Sequence, residues 1–432
     1  MEKTGPRRGG WLTAAALLLA GCVSTPQGPQ ADWAAAWGSA MLAQPVPAPD
    51  VEVKSPPALW RQPMRDVSLR QIVRVAAAGQ AVRVRVSNLF GDEPLVVDAA
   101  SIARVAALDP LPSLAADTLL PLRFGGRREV IVPAHAEAWS DPVELALPVL
   151  ADVAVQWHVQ VGPAQVSVHP GSRIRSWAVA GNRADAADWP EAVGQEGWWH
   201  LAAVDVRVPR PLPVLVATGD SITDGYGVPS GSYQRWTDAL SRRLVARGRE
   251  ASVVNTGIGG GRLLRDGLGP NLVSRFDRDV LARTGVTHAV VLIGVNDLGV
   301  SHRGRATTPE SRAALLAELK AGFADLALRA RARGVCLIGA TVMPYSGSGY
   351  YAPQAENEAD RQALNAWLRE PGRFDALLDF DALMRDPARP AYLRADVDND
   401  GLHPSLAGYR VMAEAFPVEV LERRCAKKLS VP

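Results

Sequence analysis

From about residue 211 onward the chain alternates short apolar runs with longer segments of helical period, and this alternation restricts its fold more than any other feature of the sequence. Residues 214–217, 252–254, 287–293, 335–341 and 376–380 read as buried strands. Helices are expected over about 309–333, where Ala, Leu and Arg dominate, over about 356–369, and from Ser405 onward. After the first strand, Trp236, Leu240 and Leu244 recur on one helix face. The pattern predicts a parallel sheet with helices on both faces, in which reactive groups gather at the carboxyl ends of the strands.

Four segments fall at that edge. The first strand ends abruptly in Gly219-Asp220-Ser221, with Gly225 and Gly227 close behind, and this turn chemistry lifts one serine out of the sheet. Ser221 is therefore a candidate nucleophile. A serine hydroxyl needs a base to take its proton and a third group to orient that base. Asp400-Gly-Leu-His403 offers both, because one short piece of backbone can point Asp400 and His403 into the same pocket. The plainer reading is that Asp400 caps the helix beginning near Ser405 and that His403 is an ordinary surface histidine. Acyl transfer also needs donors aimed at the developing oxyanion, each worth roughly 3 kcal/mol. Asn255-Thr-Gly-Ile-Gly-Gly-Gly261-Arg262 and Gly294-Val-Asn296-Asp297 each follow a strand and offer such donors. Taken singly, both are also ordinary tight turns.

In this order the four segments resemble the SGNH hydrolase family, also called GDSL esterases and lipases. Gly219-Asp220-Ser221-Ile222 is similar to its first motif, Gly260 to its glycine, Gly294-Val-Asn296-Asp297 to its asparagine motif, and Asp400-Gly-Leu-His403 to its Asp-x-x-His. The resemblance covers roughly residues 210–420 and implies a three-layer, flavodoxin-like α/β fold. It also implies that Ser221 is the nucleophile and, through its N–H, an oxyanion donor. Gly260 and Asn296 would complete the oxyanion hole, His403 would act as base and then acid, and Asp400 would orient it. Asp220, Asp297 and Arg262 flank these groups and read as supporting residues. Two positions depart from the family pattern. Ile222 stands where Leu is common, and Gly261 stands where many relatives have Asn, which leaves open whether Gly259, Gly260 or Gly261 donates. An α/β-hydrolase elbow is not expected, because Thr223 occupies the last position of Gly-x-Ser-x-Gly.

At the other end, Lys3, Arg7 and Arg8 precede a short apolar stretch and Leu19-Ala20-Gly21-Cys22. A charged n-region, an h-region too short to span a bilayer and a small-residue cleavage site make residues 1–21 a signal peptide. The terminal Cys22 resembles the lipidated first residue of a bacterial lipoprotein. Export with a lipid anchor is expected, and Val23 rather than Asp after Cys22 leans toward the outer membrane. Residues 22–50, rich in Pro, Ala, Gln and Ser, suit a tether, although the segment from Trp33 to Trp37 has the composition to pack on the first domain.

Residues 51–208 change character. Runs at 71–75, 82–86, 130–132, 143–147, 153–157 and 166–168 are short, β-rich and bounded by turn residues, the pattern of an antiparallel β-sandwich or jelly roll. Arg83 and Arg85 share a face there, either a solvated surface or a site for an acidic sugar or phosphate. Trp198 and Trp199 read either as a domain-interface core or as a sugar-stacking platform. The hydrolase domain follows over 211–432. With Cys22 set aside, only Cys336 and Cys425 remain; their contexts, one a core strand and the other a polar tail, do not favour a disulfide, and no spacing marks a metal site. No cofactor is implied, and a formal net charge of +2 gives no reason to expect nucleic acid.

The expected function is that of a serine ester hydrolase working through an acyl-enzyme on O-acyl or O-acetyl esters, including those of carbohydrates. A lipase or short-chain acyl esterase competes with this, as does a non-enzymatic, carbohydrate-binding surface lipoprotein. The loop over 344–353, with Tyr345, Tyr350 and Tyr351, is placed either as a substrate lip or as a plain surface loop. The sequence does not decide the oligomeric state.

Overall fold

The computed structural model describes residues 1–2, 32–44, 58–304 and 306–425. The expected signal peptide, Cys22 and most of the expected tether lie outside the described residues.

Residues 32–43 do not behave as tether. Asp32–Gly38 is a strand paired with Leu201–Val208, and Leu42–Ala43 pairs with Ser167–His169. The cause is the small side chains of Ala34, Ala35 and Ala36, all buried, which let this strand slip between the β-rich region and the second half of the chain. The Ser252 hydroxyl donates to the Ala35 carbonyl (2.6 Å), and the Ala35 N–H donates to the Thr284 carbonyl (2.9 Å).

Up to residue 208 the sheets are antiparallel. One has the order Asp32–Gly38, Leu201–Val208, Gly79–Ser87, Val143–Leu147. A second runs Val193–Glu196, Arg175–Ala180, Arg65–Arg74, Asp152–Val161, Leu95–Ala107. Val84 and Val204 of the first sheet and Leu69 and Trp157 of the second join one apolar core, which continues into the second half of the chain. Trp198 and Trp199 are buried, and the Trp198 ring N–H donates to the Ile72 carbonyl (3.0 Å), so they form core and not a sugar platform. Arg83 pairs with Asp205 (2.9 Å) and Arg85 approaches Glu137 (3.4 Å).

The second half contains a five-stranded parallel sheet: β1 Val214–Gly219, β2 Ser252–Gly257, β3 Val286–Leu292, β4 Cys336–Ala340 and β5 Ala376–Leu378. Its order, β2-β1-β3-β4-β5, places a switch point at β1, where successive connections leave in opposite directions. β1 and β4 are buried at every position, as strands covered on both faces must be. The helices are α1 Ser221–Asp224, α2 Trp236–Ala246, α3 Leu272–Phe276, α4 Val295–His302, α5 Pro309–Arg333, α6 Ala355–Leu368, α7 Phe380–Met384 and α8 Leu406–Ala415. The α5 boundaries follow local chemistry: Thr308 caps with Pro309 behind it, and Gly334 closes the helix at φ 70°.

Cys336 and Cys425 are joined by a disulfide, with 5.2 Å between their Cα atoms. The sequence expectation was the opposite, because the two contexts differ. Tertiary packing of the segment after α8 against the sheet brings them together: the buried His288 of β3, which is paired with Cys336 of β4, is bonded through its ring to the Val420 carbonyl (3.0 Å).

Candidate active site

All four sequence segments meet at the carboxyl edge of the parallel sheet. β1 runs into α1 with almost no loop. Asp220 is the N-cap of α1 and its carboxylate accepts the Ile222 N–H (3.0 Å), which holds Ser221 at the first helical position. Gly219 is required just before it, since a Cβ there would lie 2.2 Å from the Leu292 carbonyl oxygen of β3. Asp220 is thus the brace of the turn. Burial pushes its carboxyl up to about 7, with the nearby Asp297 charge acting in the same direction.

The Ser221 hydroxyl lies 2.8 Å from His403 Nε2, and His403 Nδ1 lies 2.9 Å from Asp400 Oδ2. With the proton on Nδ1 donated to the carboxylate, Nε2 is left as the acceptor for the serine proton. This tautomer is assigned from the hydrogen-bond network. Asp400 also accepts the backbone N–H groups of His403 (2.8 Å) and Leu402 (3.1 Å), so it fixes its own turn as well as the imidazole. It does not cap the following helix: Ser405 does, accepting the Gly408 N–H.

Burial raises the Asp400 carboxyl, but the hydrogen bonds and charge of His403 outweigh it and hold the group below the usual carboxylate range. Burial lowers His403, Asp400 opposes the shift, and the Arg173 charge adds to it; the net direction is downward. A resting neutral base beside an ionised orienter is the state needed to accept a proton.

Gly261 does not offer its N–H, which is spent on the Ile258 carbonyl (2.9 Å). Among the described residues, the N–H groups of Gly259 and Gly260 have no protein partner. Gly260 adopts φ 68°, a left-handed conformation that side chains adopt only with strain, so its conformation demands glycine. Asn296 sits in the first turn of α4, which Gly294 opens at φ 118°. One Asn296 amide hydrogen goes to the Gly261 carbonyl (2.8 Å), leaving the second free. Its carbonyl oxygen accepts the Tyr351 hydroxyl (2.7 Å). Tyr351 therefore prevents the amide from flipping its oxygen toward the site. The sequence leaves the Tyr351 loop as either a substrate lip or a plain surface loop, and nothing in its local pattern marks a bond to Asn296.

Asp297 accepts the N–H groups of Leu263 (2.8 Å) and Leu264 (3.2 Å), tying α4 to the Gly-rich loop, and burial pushes its carboxyl up to about 6. Arg262, at the end of that loop, is a half-buried cation whose charge favours the ionised form of Asp297. Tyr226 stacks on His403 with ring centroids 4.0 Å apart, and Tyr409 of α8 donates to its carbonyl (2.8 Å). Sequence reasoning missed Tyr226, although its place five residues after Ser221 in the same turn is a signal.

The GDSL-like lipase/acylhydrolase family model matches residues 217–411. No curated protein matches the chain. Solved structures similar to it include a GDSL-like lipase from Bacteroides thetaiotaomicron, 18% identical, covering 48% of this chain and 87% of its own, with TM-score 0.36. An acetyl xylan esterase from Geobacillus stearothermophilus is 21% identical, covering 48% and 94%, with TM-score 0.36. The psychrotrophic esterase EstA from Pseudoalteromonas sp. is 15% identical, covering 48% and 97%, with TM-score 0.35.

Proposed function

Starting from the GDSL-like lipase/acylhydrolase domain over residues 217–411, which makes the chain a carboxylic ester hydrolase, we propose that it cleaves short O-acyl esters, O-acetyl esters of carbohydrates among them, through a Ser221 acyl-enzyme. The observation that carries this reading is the unbroken chain Ser221 Oγ, His403, Asp400 at 2.8 and 2.9 Å. His403 takes the Ser221 proton as Oγ attacks the ester carbonyl carbon. The oxyanion is received by the N–H groups of Ser221 and Gly260 and by the free amide hydrogen of Asn296. His403 then protonates the leaving alcohol, and a water activated by the same ring releases the acid. The buried Tyr351 against Asn296 fills space beside the oxyanion donors, which supports a small acyl group.

The test is hydrolysis of p-nitrophenyl acetate and octanoate, with Ser221→Ala as the blank. A rate ratio well in favour of acetate supports the short-acyl reading; a ratio favouring octanoate replaces it with the lipase reading, to which the exposed Leu268, Tyr226 and Tyr350 would then contribute apolar surface.

Tyr351→Phe removes one neutral hydrogen bond of about 1 kcal/mol, and with it the lock on the Asn296 amide. The expected result is a fall of roughly fivefold in kcat with KM unchanged. An unchanged kcat would show that Asn296 needs no such partner.

We read the two large antiparallel sheets of residues 32–208 as the faces of a sandwich, a reading supported by the side chains they place in one core. Export and a lipid anchor on Cys22 are part of the same proposal. Support comes from the Leu19-Ala20-Gly21-Cys22 stretch and from the Cys336–Cys425 disulfide, a bond at home in oxidising compartments. In bacterial cells grown with labelled palmitate, the protein should carry label and Cys22→Ser should not; an unlabelled wild type would end the anchor reading.

A further inference from the structure

The β-rich region reaches the Ser221 helix through the loop between the strands Ser167–His169 and Arg175–Ala180. His169 Nε2 lies 2.9 Å from Asp224 Oδ1, three residues after the nucleophile. A Cβ on Gly171 would lie 2.0 Å from Asp224 Oδ2, so the backbone there passes directly against that carboxylate. Arg235 donates to the Asp224 carbonyl (2.8 Å), to the Gly171 carbonyl (3.1 Å) and to the Ser172 carbonyl. The Gly231 N–H donates to the Arg173 carbonyl (2.8 Å). The loop is thus fastened to α1 and to the segment after it, and it forms a wall of the site.

Arg173 stands on that wall. Its guanidinium carbon lies 6.0 Å from the centroid of the Tyr226 ring, and the same ring stacks on His403 with 4.0 Å between centroids. A guanidinium has five N–H donors. Among the described residues, Arg173 uses one, a loose 3.5 Å contact to Asp224 Oδ2, while its Nε is buried without a partner. The side chain is 21% exposed, so it is open to a ligand from the solvent side. Asp224 faces Arg173 through Oδ2 while its Oδ1 is held by His169.

The mechanism says which part of a substrate would meet this cation. His403 protonates the leaving oxygen, so the alcohol part of the ester lies on the His403 and Tyr226 side. Gly260 and Asn296 hold the carbonyl oxygen. We propose that Arg173 forms an anion subsite for the alcohol part, and that the preferred substrates are esters of hydroxylated carboxylic acids, acidic sugars included. This rests on the ester hydrolase reading above and assigns the β-rich region a direct part in specificity. Arg173 matches a carboxylate with paired, parallel hydrogen bonds, which a neutral amide cannot reproduce.

The experiment compares 3- and 4-acetoxybenzoate with the corresponding acetoxybenzamides, beside p-nitrophenyl acetate. Wild-type protein is expected to favour the better-placed benzoate over its amide by about tenfold in kcat/KM, and the preference should shrink as ionic strength rises. Arg173→Gln should bring the benzoate-to-benzamide ratio close to one, and Arg173→Lys, which keeps the charge, should retain part of it. Cleavage of p-nitrophenyl acetate without any preference for the benzoates overturns the subsite alone. A preference that survives in Arg173→Gln also overturns it. No cleavage of any of these esters removes the ester hydrolase reading, and the subsite falls with it.

Discussion

Ser221→Ala is expected to reduce ester hydrolysis by at least about 10⁴-fold while leaving the circular dichroism spectrum unchanged. The loss should be of this size because in the proposed mechanism the hydroxyl is the atom that becomes acylated, and among the described residues no other nucleophile is held on His403 Nε2. The fold should survive: the turn is fixed by Gly219 and by the Asp220 carboxylate on the Ile222 N–H, neither of which involves the serine hydroxyl. Residues that act as one unit are not additive, so Ser221→Ala with His403→Ala should be no slower than Ser221→Ala alone. A variant lacking only the hydroxyl that retained more than a few per cent of wild-type turnover would mean that the acyl group is not carried on Ser221.

The second large effect belongs to Asp400. Asp400→Asn is close in shape but replaces the acceptor that fixes the His403 tautomer, and roughly a 10³-fold fall in kcat is expected. The pH profile gives an independent check. In the proposed mechanism neutral His403 is the working form, and its pKa is already lowered by burial, with Asp400 acting against the shift. The acid limb of kcat/KM in the wild type should therefore lie below the ordinary histidine value of about 6.5. Asp400 stays ionised through that limb because His403 holds it low. Removing its charge removes the one influence raising His403, so in Asp400→Asn the limb should move further toward acid. A limb that moved toward neutral pH, or an unchanged kcat, would mean that Asp400 does not orient the base.

Two parts of this arrangement carry strain or crowding that only glycine tolerates. Gly219 lets β1 approach the β3 carbonyl at Leu292, and Gly260 presents its N–H in the left-handed region. Both were visible as glycines next to strand ends. The physical demand for them was not, since it comes from atoms more than seventy positions away for the first and from the left-handed backbone that the folded loop imposes on the second.

Local chemistry by itself determined the strand and helix alternation after residue 211, the Ser221 turn, the pairing of Asp400 with His403 on one short backbone segment, and the placement of the Gly-rich and asparagine turns at strand ends. Each depends on periodicity, turn residues or spacing within a few positions, which a single chain displays directly. Tertiary structure alone decided that residues 32–43 enter the fold as strands, that Cys336 meets Cys425, that Tyr351 locks Asn296, and that Arg173 and His169 of the β-rich region stand beside the nucleophile's helix. Each of these is a contact between segments far apart in sequence. Such contacts are selected by how whole sheets and helices close their shared apolar core, a global packing outcome that leaves no periodic mark on either of the segments it joins.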